Sequence, residues 1–229
     1  MSKTISINPA EHKTKEVHQH LLSAIAPRPI AWASTIDKEG RTNLAPFSFF
    51  NVFGSNPATL IFSPARRVRD NTTKHTLENI LEVPEVVVNI ANYALVSEMH
   101  TSSLEFAQGV SEFNEAGLTA VPSEVVKPPR VGEAPVSFEC TVNEVIATGE
   151  NGGAGNLIIC TVQRIHLKED ILDEDGKISI EKLDPIGRMG GVHYCRVIPA
   201  SIFQVDKSGN PTEFRESLKA LTYDNQTRP

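Results

Sequence analysis

The segment PRPIAWASTIDKEGRTNLAPFSFFN, residues 27–51, is the most informative part of this 229-residue chain. Pro29–Ile36 is apolar and typical of a strand, and Asp37–Gly40 has the composition of a turn. The extended segment that follows is rich in Phe, Asn and Ser. These features predict a hairpin that buries one side. Its other side, lined by hydroxyls, amides and rings, suits a flat aromatic ligand with a polar edge.

Short apolar runs separated by turn residues continue through the rest of the chain. Alternating or β-branched patterns predict further strands over residues 58–63, 85–91, 137–148, 157–165 and 201–205. Helical spacing of apolar residues predicts helices over residues 74–83, 93–107, 113–117 and 212–221. Strands and helices do not alternate regularly, so we expect a mainly β fold, an antiparallel β-barrel with inserted helices.

The distribution of polar residues predicts three regions. Residues 1–20 are expected to form a loosely ordered lead-in, residues 21–205 the domain, and residues 206–229 a polar tail. Apolar residues make up 40% of the chain, which is enough to build a core.

Composition also excludes several classes of function. The formal net charge is −6 and the basic residues are scattered, which argues against nucleic acid or an anionic membrane as partner. No apolar run approaches the ~20 residues that span a bilayer, and the N-terminus lacks a signal-peptide core. Cys140, Cys160 and Cys195 form no CxxC pair or disulfide framework, so we expect a reducing, cytoplasmic location. No metal motif and no G-x-S-x-G hydrolase motif is present.

Six segments, in order, resemble the motifs of one family. They are PRPIAWAST (27–35), NLAPFSFFN (43–51), KHTLENI (74–80), VVNI (87–90), PPRV with APVSFEC (128–140), and GRMGGVHY (187–194). Over residues 21–200 the chain is similar to the flavin reductase-like family, whose fold is the FMN-binding split β-barrel, a Greek-key antiparallel barrel. The resemblance implies bound FMN, a homodimer, and electron transfer from NAD(P)H or a reduced protein donor.

The resemblance assigns residues 43–51 to a wall against the flavin ring. Asn and Ser side chains and backbone N–H groups can bond the polar edge of the ring, and Pro and Phe can cover its faces. The alternative is that the Phe residues belong to the core. The residues assigned to this wall are Asn43, Ala45, Pro46, Phe47, Ser48, Phe49, Phe50 and Asn51.

Lys74 and Thr76 are candidates for phosphate binding. They lie where a helix should begin, with free backbone N–H groups and the positive end of the dipole. The alternative is ordinary helix capping. Ser34 and Thr35 could add hydroxyls to the phosphate or cap the following turn. The basic cluster of Arg66, Arg67 and Arg69 could help to neutralise the phosphate or could be a solvated loop.

Two further contacts are predicted. Trp32, the single Trp, is assigned to the flavin site, with the core or an interface as the alternative. Arg188, Gly190, Gly191 and Tyr194 resemble the late R-x-G-G-x-x-Y motif of the family, in which glycines allow close approach of the backbone to a ring.

The Gly-rich segment 149–157 lacks G-x-G-x-x-G spacing and lies between two predicted strands, so it is predicted to be a hairpin turn. Many flavin reductases have Gly-Asp-His here, associated with nicotinamide binding, whereas this chain has Ala154-Gly155-Asn156. We therefore expect slow NAD(P)H oxidation, and we expect Asn156→His to raise its rate if this turn faces the donor.

The sequence thus predicts an FMN-dependent oxidoreductase that passes electrons to flavin or another acceptor, with no catalytic residue assigned. Two alternatives remain: a non-catalytic FMN-binding electron carrier or sensor, and a flavin-free barrel that serves as an interaction scaffold.

Overall fold

A seven-stranded antiparallel sheet dominates the computed structural model, which describes residues 2–107 and 109–203. The chain divides into two units, residues 1–197 and 198–229. In the second unit the description covers residues 198–203, with a 3-10 turn at Pro199–Ser201. The predicted tail (206–229) and the predicted helix over 212–221 lie outside the described residues.

Within the described residues of the first unit, the chain forms eleven strands and five α-helices. The strands are β1 (Ala31–Ile36), β2 (Thr42–Phe47), β3 (Phe50–Ser55), β4 (Ala58–Phe62), β5 (Glu85–Ile90), β6 (Ala120–Val121), β7 (Arg130–Val131), β8 (Val136–Ala147), β9 (Asn156–Leu167), β10 (Ile186–Arg188) and β11 (Tyr194–Arg196). The helices are α1 (Thr14–Ala24), α2 (His75–Glu82), α3 (Val96–Thr101), α4 (Glu112–Glu115) and α5 (Ile180–Leu183). Short 3-10 turns lie at Pro9–Glu11, Tyr93–Leu95 and Glu169–Ile171.

The strand order is β2-β1-β5-β8-β9-β4-β3, so the two edge strands, β2 and β3, are consecutive in the chain. Only residues 48–49 separate these edges, and the sheet must therefore curl until its ends meet. Strands β4, β5, β8 and β9 have the spatial order β5-β8-β9-β4, with α2 in the long connection from β4 to β5, which is a Greek key. The prediction of a mainly β, antiparallel barrel with inserted helices is confirmed.

Strand β1 is buried on both faces and separates two parts of the core. Because side chains alternate along a strand, Ala31 and Ala33 pack with α2, while Ile30 and Trp32 pack with Met99 of α3 and with α4. A strand enclosed in this way holds the neighbouring β2 at a fixed position. None of the helices in the described ranges is long and apolar enough to cross a membrane.

The predicted turn between β1 and β2 is present and is held by Asp37. Its carboxylate accepts hydrogen bonds from the backbone N–H of Glu39 (3.0 Å) and of Arg41 (2.8 Å). Gly40 has φ +85°, a conformation that favours glycine. The turn therefore fixes the register of β2, the strand that contains residues 43–47 of the predicted flavin wall.

Three predicted elements differ from the structure. Residues 14–24 form α1, whereas residues 1–20 are predicted to be loosely ordered. The helix predicted over 93–107 ends at Thr101, because the hydroxyls of Ser102 and Ser103 donate to the carbonyls of Met99 and His100 and so end the turn. The strand predicted over 201–205 is irregular at 202–203, and its last two residues lie outside the described chain.

The three cysteines should differ in reactivity. Burial raises the pKa of the Cys140 thiol and raises that of Cys160 to about 12, so neither forms the reactive thiolate near neutral pH. Cys195 is half-buried. We expect a thiol reagent to label one cysteine in the native protein and three after denaturation. Rapid native labelling of Cys140 or Cys160, located by peptide mass spectrometry, would contradict this packing.

Candidate functional site

The outer edge of β2 forms one side of the candidate site. Asp37 N–H donates to the Arg41 carbonyl at 3.0 Å, so these two residues form a hydrogen-bonded pair. From this pair onward, hydrogen-bonded and non-hydrogen-bonded residue pairs alternate along the antiparallel strands. Since Leu44 and Pro46 oppose Ser34 and Trp32 at the non-bonded positions, their backbone groups point away from β1. Leu44 N–H accordingly donates to the Glu112 carboxylate at 3.0 Å. The carbonyl groups of Leu44 and Pro46 remain on this outer edge.

A cavity of about 470 Å³ lies against this edge. Arg188 provides its cationic wall: the guanidinium donates to the Gly191 carbonyl at 2.7 Å and lies 4.4 Å from the centre of the Tyr194 ring. The remaining walls combine apolar side chains with an imidazole and hydroxyls. The lining residues are Ile30, Pro46, Ser48, His100, Ser103, Arg188, Val192 and Tyr194. This combination can hold a planar ring that carries polar atoms along one edge.

A second cavity, of about 100 Å³, adjoins the first at Ser103, which lines both. Its cations are Arg67 and Lys74, and the Lys74 ammonium lies 5.4 Å from the centre of the Phe47 ring. Burial lowers the pKa of Lys74, and the positive charge of Arg67 lowers it further. A half-buried cation pair of this kind is suited to an anionic group of a ligand.

Thr76 and Asn43 also line the second cavity, but they belong to a buried network. The Thr76 hydroxyl donates to Asn43 Oδ1 at 2.7 Å, and Asn43 Nδ2 donates to Glu112 Oε1 at 2.6 Å. Burial raises the pKa of Glu112. Since the Thr76 proton is directed to Asn43, the hydroxyl is not free to donate to a phosphate in this arrangement.

Arg28 fixes the junction between β2 and β3. Its buried guanidinium donates to the carbonyls of Leu22 and Ile25 at the end of α1, to the Met189 carbonyl, and at 3.4 Å to the Ser48 hydroxyl. Its backbone pairs with Arg188 through bonds of 2.9 and 2.8 Å. Burial, together with the charge of Arg188, lowers the pKa of Arg28. Arg28 therefore connects the two ends of the larger cavity.

The predicted residues fall into four groups. Pro46, Ser48, Arg188 and Tyr194 line the larger cavity, and Asn43, Ala45, Lys74 and Thr76 line the smaller one. Glycines 190 and 191 shape the loop between β10 and β11: a Cβ on Gly190 would collide with Ser23 of α1, and Gly191 has φ +61°.

The fourth group, which contains the remaining predicted residues, lines neither of these two cavities. Trp32 is fully buried and its indole N–H donates to the Ser102 hydroxyl at 2.8 Å, so its ring is part of the core. Ser34 and Thr35 are fully buried, and Phe47 packs in the core beneath Lys74. At the other side of the junction lie half-buried Phe50, exposed Phe49, and Asn51, whose side chain accepts from the N–H of Val52.

Residues that the sequence analysis missed are Arg28, His100, Ser103, Glu105 and Glu112. Arg28 lies inside a quoted motif, PRP, but nothing in the sequence shows which carbonyls it meets. The other four lie on short helices or loops, where the spacing of apolar residues does not indicate which polar side chains meet, so only the folded chain brings them to the cavities.

The side chain of Asn156 points into the fold. It is 5% exposed, and its Nδ2 donates to the Pro64 carbonyl at 2.9 Å, which ties the Gly-rich turn to the loop after β4. Asn156→His was expected to raise the rate of NAD(P)H oxidation if this turn faces the donor. Because the side chain points inward, we no longer expect that increase.

We expect Asn156→His to destabilise the fold instead. The larger ring must enter a packed site and loses the amide contact, at a cost of about 1–3 kcal/mol in the free energy of unfolding. Thermal unfolding measures this, with Asn151→His on the exposed turn as the matched control. An unchanged stability together with faster bleaching of the flavin band by NAD(P)H would return Asn156 to the donor site.

Comparison with known proteins agrees with this architecture. Residues 23–183 match the flavin reductase like domain. An uncharacterized protein of Aquifex aeolicus is 40% identical over 180 residues, covering 79% of this chain and 89% of the relative.

Two solved structures are also similar. Nitrilotriacetate monooxygenase component B from Bacillus cereus is 33% identical with a TM-score of 0.83, and the match covers 90% of this chain and 100% of the other. A 2-nitrobenzoate 2-nitroreductase from Pseudomonas fluorescens is 25% identical with a TM-score of 0.78, and the match covers 90% and 98% of the two chains. The domain match, the sequence relative and the shared barrel lead to one conclusion: the chain belongs to the flavin reductase-like domain family.

Proposed function

We propose that this protein binds FMN and works as a flavin-dependent oxidoreductase. The observation that carries the proposal is the pair of adjoining cavities along the edge of β2. One has apolar walls and a cation at Arg188, and the smaller one contains Lys74 and Arg67. Family membership supports a flavin as ligand, and the cation pair supports a flavin that carries a phosphate.

The residues fit the two halves of FMN chemically. Lys74 and Arg67 would hold the phosphate, since a dianion compensates two partly buried cations. Pro46, Ile30 and Val192 would cover the ring in the larger cavity. The outward carbonyl groups of β2 can accept, and the Arg188 guanidinium can donate, hydrogen bonds along the polar edge of a ring.

When bound, FMN supplies the electron-transfer chemistry, and the protein contributes position and electrostatics. Arg188 keeps positive charge beside the larger cavity, which favours a ligand that gains negative charge on reduction. Arg28 keeps the β2–β3 junction and the Arg188 strand together, so the two walls of that cavity hold a fixed spacing.

The proposal includes an electron donor, either NAD(P)H or a reduced protein. A non-catalytic electron carrier is the second candidate, favoured by the inward-facing Asn156 in the turn that the family resemblance associates with nicotinamide binding. Flavin uptake and steady-state oxidation of NADH and NADPH with added free flavin test the proposal. Uptake with turnover supports an oxidoreductase, and uptake without turnover supports the carrier. Unchanged flavin fluorescence at micromolar protein would refute both and leave the flavin-free scaffold.

We further propose that the protein is a homodimer and that it is located in the cytoplasm, a reducing compartment. Edge strand β3 exposes Val52 and Phe53, each at 64%, beside Phe49 at 38%, and an apolar strand edge of this kind is normally covered by a partner. All three cysteines are free, which suits a reducing environment.

Light scattering at micromolar concentration should therefore report about twice 25.0 kDa. Phe53→Asp, which places a charge on this edge, should shift the mass toward the monomer, whereas Val68→Asp, on an exposed loop, should not. A wild-type monomer that binds FMN tightly would contradict the dimer.

A further inference from the structure

We propose that Glu105 competes with the ligand's phosphate for Arg67 and thereby sets how strongly the site prefers phosphorylated flavin. The inference rests on the proposed FMN site. It makes Glu105 a specificity-determining residue that occupies the anion position of the smaller cavity whenever no phosphate is bound there.

The contacts place a carboxylate where an anion of the ligand would bind. Glu105 Oε1 lies 3.3 Å from Arg67 Nε, and Oε2 lies 2.6 Å from Arg69 Nη1. Both Glu105 and Arg67 line the smaller cavity. Hydrogen bonds from Arg69 and Arg67 hold the pKa of Glu105 below its ordinary value, so it is ionised at neutral pH. A carboxylate and a phosphate oxygen use the same guanidinium donors, and so the two exclude each other at Arg67 Nε.

The two partners differ in how firmly they are held. The Arg67 side chain is 21% exposed, and its Nη1 also donates to the Thr72 hydroxyl and the Thr73 carbonyl. Glu105 is 55% exposed and lies on the irregular segment that follows α3. Arg67 is therefore the fixed member of the pair, and Glu105 is the member that moves when a phosphate binds.

Arg69 can keep its ion pair with Glu105 after a phosphate displaces Glu105 from Arg67. The Arg69 side chain is 64% exposed and is not among the residues that line the cavity, yet it makes the shorter of the two contacts with Glu105. A phosphate that displaces Glu105 from Arg67 can leave the Glu105–Arg69 pair intact. The exchange then replaces one carboxylate at Arg67 by a phosphate with a charge of about −1.5 to −2 at pH 7.

Lys74 shows why Glu105 stabilises the cavity without a ligand. Arg67 lowers the pKa of Lys74 and Glu105 raises it, so the carboxylate offsets the repulsion between the two cations. Without Glu105, Arg67 and Lys74 face each other uncompensated until an anion binds. Removal of the carboxylate should therefore favour every ligand that brings a phosphate and leave a ligand without one unaffected.

The test compares FMN with riboflavin in titrations of flavin fluorescence, using Glu105→Gln. We expect FMN to bind about three- to tenfold more tightly than to the wild type, with riboflavin unchanged. Glu82→Gln is the control, because it removes the same charge at the far end of α2, where Glu82 pairs with Lys38. In an Arg67→Ala background, Glu105→Gln should lose its effect on FMN, since the competition requires Arg67.

Each other outcome overturns the proposal. Weaker FMN binding in Glu105→Gln would show that the carboxylate positions Arg67, and equal binding would show that it does not compete. If the wild-type protein binds FMN and riboflavin equally, the proposed phosphate site is refuted. If the wild type prefers FMN but Glu105→Gln does not bind FMN more tightly, only the competition by Glu105 is refuted. Thermal unfolding and a second variant, Glu105→Ala, separate a folding defect from a change in affinity.

Discussion

Replacing Lys74 by alanine should weaken FMN binding about ten- to a hundredfold and leave riboflavin binding almost unchanged. The ammonium lies in the smaller cavity beside Arg67, and burial has already lowered its pKa. A charge-assisted contact with phosphate in such a place is worth about 1.5–3 kcal/mol. Riboflavin has no phosphate and therefore does not use this contact. Titration of flavin fluorescence with both ligands measures the difference.

Lys38→Ala is the matched control for this variant. Lys38 is exposed and pairs with Glu82, so its removal makes the same change in net charge outside the cavities. FMN affinity should stay within about twofold of the wild type. If Lys74→Ala weakened FMN and riboflavin equally, Lys74 would act through the fold, and the smaller cavity would not be the phosphate site.

Glu112→Ala should produce the largest loss of stability at the site. The variant leaves the Leu44 N–H and Asn43 Nδ2 without their acceptors, at 3.0 and 2.6 Å in the wild type, in a buried setting. Each unsatisfied donor costs about 1–3 kcal/mol, so we expect the free energy of unfolding to fall by about 2–5 kcal/mol. Denaturant unfolding followed by circular dichroism measures this change.

The same variant should weaken FMN and riboflavin to a similar extent, because Glu112 holds the edge of β2 and not the phosphate. Glu112→Gln keeps one acceptor oxygen and should lose less stability. Glu115→Gln, on the exposed side of α4, should lose less than about 0.5 kcal/mol. Glu112→Ala with wild-type stability would show that the edge of β2 does not depend on this network.

Local patterns in the sequence were sufficient for most of the barrel. Each of these signals lies within a few consecutive residues: the apolar run of β1, the Asp37–Gly40 turn and the alternation in β8. The end of α3 was harder to predict, because Ser102 and Ser103 stop a helix only through their own hydrogen bonds to its carbonyls. Helix α1 was missed because the polar composition of residues 1–20 indicated a loosely ordered segment.

Residues that line the two cavities could be predicted where one element contains the whole signal. Lys74 precedes a helix, and Pro46 lies on the strand that the hairpin turn sets in register. Trp32 was assigned to the ligand, but its ring meets Ser102, 70 residues away in the chain, in the core. Glu112 could not be assigned from the sequence, since its partners Asn43 and Leu44 are distant in the chain and α4 is a single turn.

We propose that the two adjoining cavities hold one phosphorylated flavin. Titration of the wild-type protein with FMN and with riboflavin, followed by quenching of flavin fluorescence, tests it most directly. Both ligands should bind, and FMN should bind at least about tenfold more tightly, since only FMN brings an anion to Lys74 and Arg67. Equal affinities for the two flavins, or no quenching by either, would contradict it.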